Sequence, residues 1–516
     1  MSGSAARTRR LTPARVDVVI LGGGPAGAVA AKLVAARGHS VVVLARAPAR
    51  PALAESLPPS TGKLLDRAGV RSAIDDAGFV RSTGNTVWWG TSEPRVEAFG
   101  AGALGWQVGR DRFDRVLLAQ ARQTGARVVS PAVVRDVTLR AGEDGTSIVS
   151  YESRGRETSL RASWVLDCTG RAGLLARRDW RRADPAGRTL AIAGVWDRRG
   201  GWTGLADDTH TLVESYDGGW AWSVPVSRDR RYVTVMVDPA ITDVRPADGA
   251  MGLTGMYAEE LAKAARLEAL ARSGARPPRL TAAPFARDAS SYDASRVADD
   301  GVLLVGDAAS FIDPLSSYGI KKALASAWLA SVVVHTALVD EAMRSPALEL
   351  YERRERSVYD ALRRRFASLS REAVGSEAAD FWRVRSVGDP GDDSGDDGEP
   401  DVTVFRRDPD VLAALEAMRQ RSSVVLRASS RMRRVERPTV RGDRVGLEEH
   451  LVVPAFRDGI RYIRSVDLVT IVALAPAYDQ VPDLFAAYNR AAAPAPLPDF
   501  LGALSVAVGK GILDLA

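Results

Sequence analysis

The chain has 516 residues, 46% of them hydrophobic, and a formal net charge of +6 from 70 Lys and Arg against 64 Asp and Glu. This length can bury one large core or two to three smaller ones, and so small a basic excess without an aromatic–basic motif argues against a nucleic-acid partner. The single cysteine, Cys168, excludes an internal disulfide and a cysteine-based zinc site, and the four scattered histidines lead us to expect no metal site.

The N-terminus leads into a nucleotide-binding pattern. Residues 1–15 are charged and lack an apolar core, so we expect a flexible tail and no signal peptide. Together with the scarcity of cysteine, this predicts a cytoplasmic protein. From Val16 onward a strand (VDVVIL), a glycine loop, an apolar helix and a second strand (SVVVLA) follow one another, which is the order of a βαβ unit.

The glycine loop has the spacing of a dinucleotide site. The sequence GGGPAG arranges its residues as G-x-G-x-x-G between strand and helix: Gly22, Gly24, Pro25, Ala26 and Gly27. Glycines allow a tight turn and close backbone approach to a pyrophosphate, and the helix start supplies free N–H groups. We predict dinucleotide binding here; a turn needed only for packing is the alternative.

One part of such a site is missing. An acid normally ends the second strand and binds the ribose hydroxyls. Here Ala45 holds that position and Arg46 follows it. We therefore expect Arg46 or a backbone group to contact the ribose, which leaves tight retention of the cofactor open.

The next segments predict a nucleotide-binding domain with an insertion. The runs WVLDCTG and GVLLVGD stop at Gly or Asp, as buried parallel strands do. The region between them alternates more and carries aromatic residues, which predicts an antiparallel sheet. We predict an α/β fold with a discontinuous nucleotide-binding domain, an inserted substrate domain and a C-terminal helical region: residues 16–185 with 286–370, 186–285, and 371–516.

Two segments bear on disorder and membranes. Residues 386–401 are acidic and otherwise contain only Gly, Pro, Ser and Val, so we expect a disordered linker or loop. The longest apolar run, residues 323–339, is short for a membrane span and carries two serines and a histidine. We expect a buried core helix and no membrane contact.

A second nucleotide contact is predicted far along the chain. The strand VLLVG ends at Asp307, before a loop of small residues and a helix; a helix N-cap is the alternative role for Asp307. This stretch, VGDAA, resembles the flavin monooxygenase and flavin-dependent halogenase superfamily. The resemblance implies FAD as the cofactor of a Rossmann-type domain like those of glutathione reductase and p-hydroxybenzoate hydroxylase, with Gly306 and Asp307 at the ribityl chain or pyrophosphate.

The same resemblance implies a flavin-facing loop and helix start. The cofactor contacts expected there are Pro314, Ser317, Gly319 and Ile320. A helix N-terminus near flavin N1 and O2 stabilises the negative charge of reduced flavin. Residues 165–175, VLDCTGRAGLL, match a further family segment in its halogenase-like form.

Two more stretches extend the resemblance over most of residues 16–370. Residues 54–69 match the family's GES-x-x-P stretch, which implies that Glu55 and Ser56 lie beside the flavin. The helix start GRDRFDR matches the family's D-R-x-x-F-D with a glycine in place of the first Asp, which implies that Arg110 contacts the cofactor.

The sequence GGWAWSVPV contains W-x-W-x-V-P, close to a motif of flavin-dependent halogenases near the tunnel between flavin and substrate. Alternation along a strand puts Trp220 and Trp222 on one face. Two ordinary core aromatics are the alternative. Flavin-dependent isoprenoid reductases carry the same kind of motif, so it does not name a reaction.

Three positions depart from the halogenase pattern. Ser82 aligns with the tunnel lysine of those enzymes, and Lys63 reaches that position only in a slipped register. Ser316 stands where indole-type halogenases place a glutamate, and Tyr318 stands where a small residue helps to bind halide. These departures argue against halogenation.

The stretch STGNTVWWG resembles that of flavoproteins that hydroxylate a protein-bound tryptophan during maturation of quinone cofactors. The resemblance implies an FAD-dependent monooxygenase that hydroxylates an indole or phenol, possibly within a peptide or protein, through a flavin C4a-hydroperoxide. Halogenation, and reduction or dehydrogenation of an isoprenoid-like substrate, are the alternatives. Dioxygen is the co-substrate, and electrons come from NAD(P)H or from a separate flavin reductase, which would then be a partner.

We name as candidate catalytic residues side chains of the predicted cavity: Glu55, Trp89, Trp220, Trp222, Ser316 and Tyr318. One of two adjacent strand residues, Trp88 or Trp89, must point inward; ordinary burial is the alternative. Packing is the alternative for Tyr318, helix capping for Ser316, and a surface position for Glu55.

Overall fold

The computed structural model describes residues 14–47, 51–91, 93–100, 102–142, 144–184, 187–240, 242, 249–272, 277–316, 318–373, 380–387, 405 and 407–516. The chain divides into two compact units, which are Met1–Val339 with Leu362–Pro390 and Asp340–Ala361 with Gly391–Ala516. The first strand begins at Ala14, so the predicted tail extends two residues too far. Its residues 1–13 lie outside the described residues.

The strands of the first unit are, in chain order, β1 (Ala14–Leu21), β2 (Val41–Leu44), β3 (Ala54–Leu57), β4 (Val80–Ser82), β5 (Gly84–Trp88), β6 (Arg95–Ala98), β7 (Gly105–Gly109), β8 (Arg127–Val129), β9 (Val133–Thr138), β10 (Ser147–Ser153), β11 (Arg156–Asp167), β12 (Arg181–Ala183), β13 (Leu190–Asp197), β14 (Thr211–Tyr216), β15 (Gly219–Pro225), β16 (Arg230–Val237), β17 (Arg279–Leu280), β18 (Phe285–Asp288), β19 (Tyr292–Ala294), β20 (Ala298–Asp299) and β21 (Val302–Leu304). Those of the second unit are β22 (Leu426–Ala428), β23 (Arg433–Arg441), β24 (Arg444–Val453), β25 (Phe456–Ile460), β26 (Tyr462–Ile463), β27 (Val466–Asp467) and β28 (Leu513–Leu515).

The α-helices are α1 (Pro25–Ala36), α2 (Gly62–Arg67), α3 (Arg71–Asp76), α4 (Arg110–Gln123), α5 (Ala176–Asp179), α6 (Gly249–Lys263), α7 (Ala265–Arg272), α8 (Gly319–Val339), α9 (Arg344–Glu372), α10 (Asp380–Arg385), α11 (Pro409–Arg419), α12 (Leu468–Leu474), α13 (Val481–Ala491) and α14 (Leu497–Gly509).

A parallel sheet forms the centre of the first unit, as the apolar runs predict. Its strand order is β20-β21-β11-β1-β2-β8, with β10 paired to β11 and β9 paired to β10. Residues 18–21 of β1 are fully buried, since strands covered on both faces need apolar side chains throughout. β1, β11 and β21 run parallel, so their carboxyl ends, and the loops that follow Leu21, Asp167 and Leu304, reach one edge. The predicted βαβ unit and α/β fold are confirmed.

A second, mostly antiparallel sheet has the order β17-β13-β16-β15-β14-β5-β6, with β18 beside β13. Residues 186–285 supply most of it, but β5 and β6 come from residues 84–98, and β5 pairs with β14 in parallel. Both sheets fall within the same compact unit. The domain boundaries at 186 and 285 therefore stay a prediction.

Helix α8 contains the longest apolar run. Among the described residues, α8 is the one helix whose length and apolar composition would allow it to cross a membrane. However, 78% of its most apolar 18-residue stretch is buried inside the protein. Its buried side chains include Leu324, Ala327 and Val333. It packs against α1 as a core helix does, because a helix that is apolar on all sides needs protein around it.

The second unit is only partly helical. Helices α11 to α14 surround a core with Leu451, Ile471 and Phe500, but β23, β24 and β25 form an antiparallel sheet beside them. The prediction of a helical C-terminal region is therefore only partly correct. The charged sequences of β23 and β24 were included in that helical prediction, but the two segments pair as antiparallel strands, and this pairing decides their structure. Of the acidic segment 386–401, residues 388–401 lie outside the described residues.

Candidate functional site

A cavity of about 480 Å³ opens at the edge where the parallel strands end. It is lined both by the glycine turn after β1 and by the start of α8, two segments almost 300 positions apart. The predicted residues that line it are Gly22, Gly24, Pro25, Ala26, Arg46, Glu55, Arg110, Asp307, Pro314, Tyr318, Gly319 and Ile320. We call it the cofactor cavity.

The glycine turn is built for close approach. Gly22 has a φ of 103°, and a Cβ there would lie 2.4 Å from the carbonyl oxygen of Cys168. A Cβ on Gly27 would lie 2.0 Å from the carbonyl oxygen of Gly22, so Gly27 packs the helix against the turn and does not line the cavity. Gly24 ends the turn at the start of α1, whose first N–H groups have no partner within the helix. These groups can hold a pyrophosphate.

A network of charged side chains forms one wall of the cavity. The Arg110 guanidinium donates to both carboxylate oxygens of Asp114 at 2.9 and 3.1 Å and to Oε1 of Glu55 at 3.4 Å. Burial acts to lower the pKa of Arg110, but these carboxylates outweigh it and raise that pKa. Burial raises the pKa of Glu55, with Asp307 adding to the effect and Arg110 opposing it. Glu55 therefore holds a proton more readily than an exposed glutamate.

The Gly-Asp segment after β21 lies opposite the glycine turn. Gly306 has a φ of 63° and packs against Ala323 and Ala26, so it shapes the turn without lining the cavity. Asp307 lines it, and the backbone oxygen of Asp307 accepts a hydrogen bond of 2.5 Å from Tyr292. A role of Asp307 toward the cofactor fits this position.

A buried lysine that was not predicted supports this segment. Lys322 lies in the first turn of α8 and donates to the backbone oxygens of Gly306 and Ser310 at 3.0 and 2.5 Å. Its Nζ lies 3.9 Å from Oδ1 of Asp307. It lies three residues after Gly319, so helical spacing from the predicted flavin-facing start was the signal for it.

Further charged groups in the wall were also not predicted, among them Arg287 and Asp313. Arg287 is distant in sequence from every recognised stretch. Asp313 directly precedes Pro314, and an acid within the apolar run FIDPL was its signal.

The ribose side follows the prediction only in part. Ala45 is buried and Arg46 is exposed, and both line the cofactor cavity. The contact of Arg46 with the ribose stays a prediction. Ser317 lies outside the described residues, and of Ser316 only its place at the end of the short 3-10 turn Pro314–Ser316 is described.

A second, much smaller cavity of about 20 Å³ adjoins the first, and we call it the aromatic cavity. Glu55 and Pro314 line both cavities. Trp220 and Trp222 form its aromatic wall, with ring centroids 4.8 Å apart and ring planes 25° apart. The prediction that both indoles share one face of a strand is confirmed by this stack.

Hydroxyl groups form the polar wall of the aromatic cavity. Ser56, predicted as a cofactor contact, lines this cavity and not the cofactor cavity. Its Oγ accepts a hydrogen bond of 2.8 Å from Thr211, which in turn accepts one of 2.9 Å from the buried Gln107 amide. The Ser56 hydroxyl proton is thus free to point into the cavity.

Trp89 does not line either cavity, contrary to prediction. Its ring packs edge-on against Trp220 and Trp382, and its indole N–H donates to the backbone oxygen of Leu369 at 2.8 Å. Trp88 packs into the core on the opposite face of the second sheet. The prediction that Trp88 and Trp89 point to opposite faces of the sheet is correct. The face that carries Trp89, however, packs against Leu369 and Trp382 of α9 and α10 and not against a cavity.

The departures from the halogenase pattern can now be located. Ser82 is fully buried, and its hydroxyl donates to the backbone oxygen of Gly84 at 3.0 Å. Lys63 lies exposed on α2. Tyr318 lines the cofactor cavity and its hydroxyl accepts from Lys321 at 2.9 Å. Of the described lysines, Lys322 lines the cofactor cavity and none lines the aromatic cavity.

Known proteins resemble this chain in sequence. A family model described as an FAD binding domain matches residues 15–365. A tryptophan 2-halogenase of Chondromyces crocatus is 28% identical over 358 residues, which span 66% of this chain and 65% of that protein, somewhat less than two thirds of it. A flavin-dependent halogenase of Armillaria mellea is 28% identical across 68% of this chain and 70% of its own. A chlorinase of 1H-pyrrole-2-carbonyl-peptidyl-carrier protein from Pseudomonas fluorescens is 28% identical across 61% and 74%.

Solved structures share the fold. The flavin-dependent halogenase CmlS superimposes with a TM-score of 0.76 at 22% identity over 98% of this chain and 96% of its own. The myxobacterial chondrochloren halogenase CndH gives 0.67 at 26% over 73% and 87%. The peptidyl tryptophan dihydroxylase QhpG gives 0.64 at 23% over 92% and 95%. At 22% and 23% identity, the first and third show a common fold alone.

Proposed function

We propose, from the premise that the chain belongs to the FAD binding domain family, that this FAD-dependent oxidoreductase halogenates an electron-rich aromatic ring. The relatives at 28% identity carry the names of halogenases, so they support this alternative better than the hydroxylation first preferred. The observation that carries the proposal is the aromatic cavity, which adjoins the cofactor cavity and is too small for a ring.

The chain's own residues fit FAD. The glycine turn and the start of α1 suit the pyrophosphate, Asp307 suits the ribityl chain, and the start of α8 suits the ring system. Bound and reduced, FAD supplies the electrons that activate dioxygen. Arg110 and Lys322 supply positive charge to the same cavity.

The size of the aromatic cavity limits which species can pass from the cofactor cavity to the aromatic substrate. A space of about 20 Å³ admits a water-sized species, since a single water needs roughly 10–15 Å³. An oxidised halide is of that order, whereas an indole ring is several times larger. The stacked Trp220 and Trp222 line this space, and the Ser56 hydroxyl offers a hydrogen bond within it.

Hydroxylation is the second candidate, and Ser82 favours it. The Ser82 hydroxyl, at the position of the halogenase lysine, cannot form a haloamine. Among the described residues, no lysine lines the aromatic cavity. Direct hydroxyl transfer needs only an aligned ring and a dry cavity. No observation favours reduction of an isoprenoid-like substrate.

The test is turnover of the FAD-loaded protein with a flavin reductase, NADH, dioxygen and bromide. Indole, phenol, free tryptophan and a short tryptophan peptide serve as substrates, with products read by mass spectrometry. Halogenation predicts products in which one hydrogen is replaced by bromine. Products heavier by one or two oxygens, with no bromine, would replace the proposal by hydroxylation.

Two controls keep the result specific. Omission of the enzyme with the reductase retained measures free peroxide chemistry, and added catalase removes it. A Gly24→Trp variant, which fills the cofactor cavity, measures turnover without bound FAD. Bromination that persists in either control would contradict enzymatic halogenation.

The remaining assignments follow from this proposal. The substrate is an aromatic small molecule or an aromatic group carried on a peptide or protein, and the electron donor is a separate flavin reductase or NAD(P)H. We retain the cytoplasm as the expected location, on the scarcity of cysteine.

A further inference from the structure

A chain of three hydrogen-bonded side chains ends at the wall of the aromatic cavity. The amide of Gln107 donates to the hydroxyl of Thr211 at 2.9 Å, and Thr211 donates to the hydroxyl of Ser56 at 2.8 Å. All three side chains are buried. Thr211 and Ser56 line the aromatic cavity, whereas Gln107 does not. The chain therefore runs from the protein interior to the cavity.

The direction of the chain is fixed at its inner end. The amide nitrogen of Gln107 also donates to the backbone oxygen of Thr209 at 3.1 Å. The opposite orientation of the amide would place its oxygen beside that carbonyl oxygen, and neither atom can donate. Gln107 is therefore a donor toward Thr211. The two hydroxyls that follow carry two protons and share one hydrogen bond, so one proton is left for the cavity.

That proton has no acceptor in the wall. Among the described residues, the Ser56 hydroxyl donates to no protein oxygen or nitrogen. A buried donor without an acceptor costs free energy, and a molecule that accepts the hydrogen bond removes this cost. The end of the chain therefore favours an occupant of the cavity that is a hydrogen-bond acceptor.

The charge of the lining favours a neutral occupant. The described residues that line the aromatic cavity include no Lys, Arg or His, and the acid among them, Glu55, is paired with Arg110 at 3.4 Å. Burial of an anion without a counter-charge costs far more than burial of a neutral polar molecule. A cavity of about 20 Å³ therefore suits a small, neutral acceptor better than a halide ion.

We propose that Ser56 is the hydrogen-bond donor that holds hypohalous acid in the aromatic cavity. The inference rests on the proposed function, in which halide is oxidised in the cofactor cavity. The oxygen of the acid accepts the Ser56 proton, no covalent bond forms at Ser56, and the acid continues unchanged to the aromatic ring. Thr211 and Gln107 act through Ser56 as positioning residues, because they fix the direction of its proton.

The first test needs no turnover. A high-resolution crystal structure of the FAD-loaded wild type, without halide, is determined. In the absence of hypohalous acid, water is the neutral acceptor, so we expect one ordered water in the aromatic cavity at about 2.8 Å from Oγ of Ser56. A dry cavity, or a Ser56 hydroxyl that donates to a protein oxygen, would overturn the inference.

The second test measures how much oxidised bromide reaches the substrate. The bromide assay with flavin reductase and catalase is repeated with monochlorodimedone, a scavenger that consumes hypobromous acid released from the protein. Ser56→Ala should lower the ratio of brominated substrate to brominated scavenger by about tenfold, which is the effect of one lost hydrogen bond. Equal ratios in Ser56→Ala and the wild type would refute the role of Ser56. A purely structural role would lower both products together and leave the ratio unchanged.

Two further variants keep this test specific. Thr211→Val retains the Ser56 hydroxyl but removes the group that directs its proton, so the ratio should fall less than in Ser56→Ala; a fall as large would contradict Ser56 as the donor. Ser505→Ala removes the hydroxyl of a buried serine that lines neither cavity and should match the wild type. If bromine enters neither substrate nor scavenger, the proposed function fails, and the crystal structure still decides whether Ser56 directs its proton into the cavity.

Discussion

Gly22 and Gly24 stand two residues apart in one turn, but a side chain at each would meet different surroundings. At Gly22 it would strike the Cys168 carbonyl in a left-handed backbone, whereas at Gly24 the nearest atom to a new Cβ is 3.7 Å away, on Arg110. The first position serves the fold, and the second is the one that we propose for the cofactor. Both were recognised by the same spacing, which does not separate the two roles.

We therefore expect Gly24→Trp to retain the melting temperature of cofactor-free wild type and to lose FAD binding. Gly22→Ala should lower the stability of the cofactor-free protein by at least about 1–2 kcal/mol, because its φ is left-handed. Visible absorbance after gel filtration measures bound FAD, and thermal unfolding measures stability. A yellow Gly24→Trp protein would place the pyrophosphate elsewhere.

Asp313 makes a prediction about pH at the same scale. Its pKa rises from 3.8 to about 7 on folding, so the folded chain holds the proton more tightly than the unfolded chain. The stability due to this group is complete below about pH 4 and is lost as pH rises through 7. The loss amounts to about 4 kcal/mol, at about 1.36 kcal/mol per unit.

Asp313→Asn lacks this titration. The difference in unfolding free energy between variant and wild type should therefore shift by about 4 kcal/mol in favour of the variant between pH 4 and pH 8. Urea unfolding of the cofactor-free proteins at each pH measures it, with Asp299→Asn as the reference. A constant difference across this range would show that the carboxyl titrates normally.

At the scale of elements, α8 joins the two predicted nucleotide segments. Its first turn carries Lys322, whose ammonium binds the carbonyls of Gly306 and Ser310, so the helix holds the Gly-Asp segment in place. The N-terminus of the same helix lines the cofactor cavity. The position of Asp307 thus depends on a helix that follows it in the chain.

Lys322→Met should lower FAD affinity and reduce stability by about 1–3 kcal/mol, because two buried carbonyls lose their donor. The matched control is Lys63→Met, whose lysine is exposed on α2 and, in a slipped register only, would be the halogenase lysine. We expect that control to match wild type in FAD affinity and in turnover. If Lys63→Met retained FAD but lost turnover, Lys63 would be the halogenase lysine, as the slipped register implies.

At the scale of the whole molecule, segments around residues 22, 110, 307 and 319 meet in one cavity because parallel strands end at one edge. If FAD binds in this cavity, as we propose, it contacts parts of the first unit that are far apart in sequence. A ligand that binds the folded state alone stabilises it by mass action.

FAD should accordingly raise the melting temperature of the wild type in a concentration-dependent way. At 100 times the dissociation constant the gain is about 2.7 kcal/mol, and Gly24→Trp should show none of it. Differential scanning fluorimetry across an FAD series, with FMN as the comparison, measures the effect. An equal response of wild type and Gly24→Trp would mean that the stabilisation arises outside the cofactor cavity.

The parallel core, the two predicted nucleotide segments and the α8 core helix could be predicted from the amino-acid sequence. These depend on local patterns, namely apolar runs, glycine spacing and an acid at the end of a strand, which act over a few residues. The stacking of Trp220 on Trp222 belongs with them, since strand alternation alone places both on one face.

Other features could not be predicted from the sequence, because they depend on contacts between distant segments of the folded chain. Trp89 does not line a cavity, because Leu369 and Trp382 cover its face of the sheet. Ser56 lies in the wall of the aromatic cavity, where its hydroxyl accepts a hydrogen bond from Thr211. Burial raises the pKa of Asp313, and the groups that oppose it, Trp220, Arg171 and Arg385, lie 72 to 142 positions away. No local pattern carries that information.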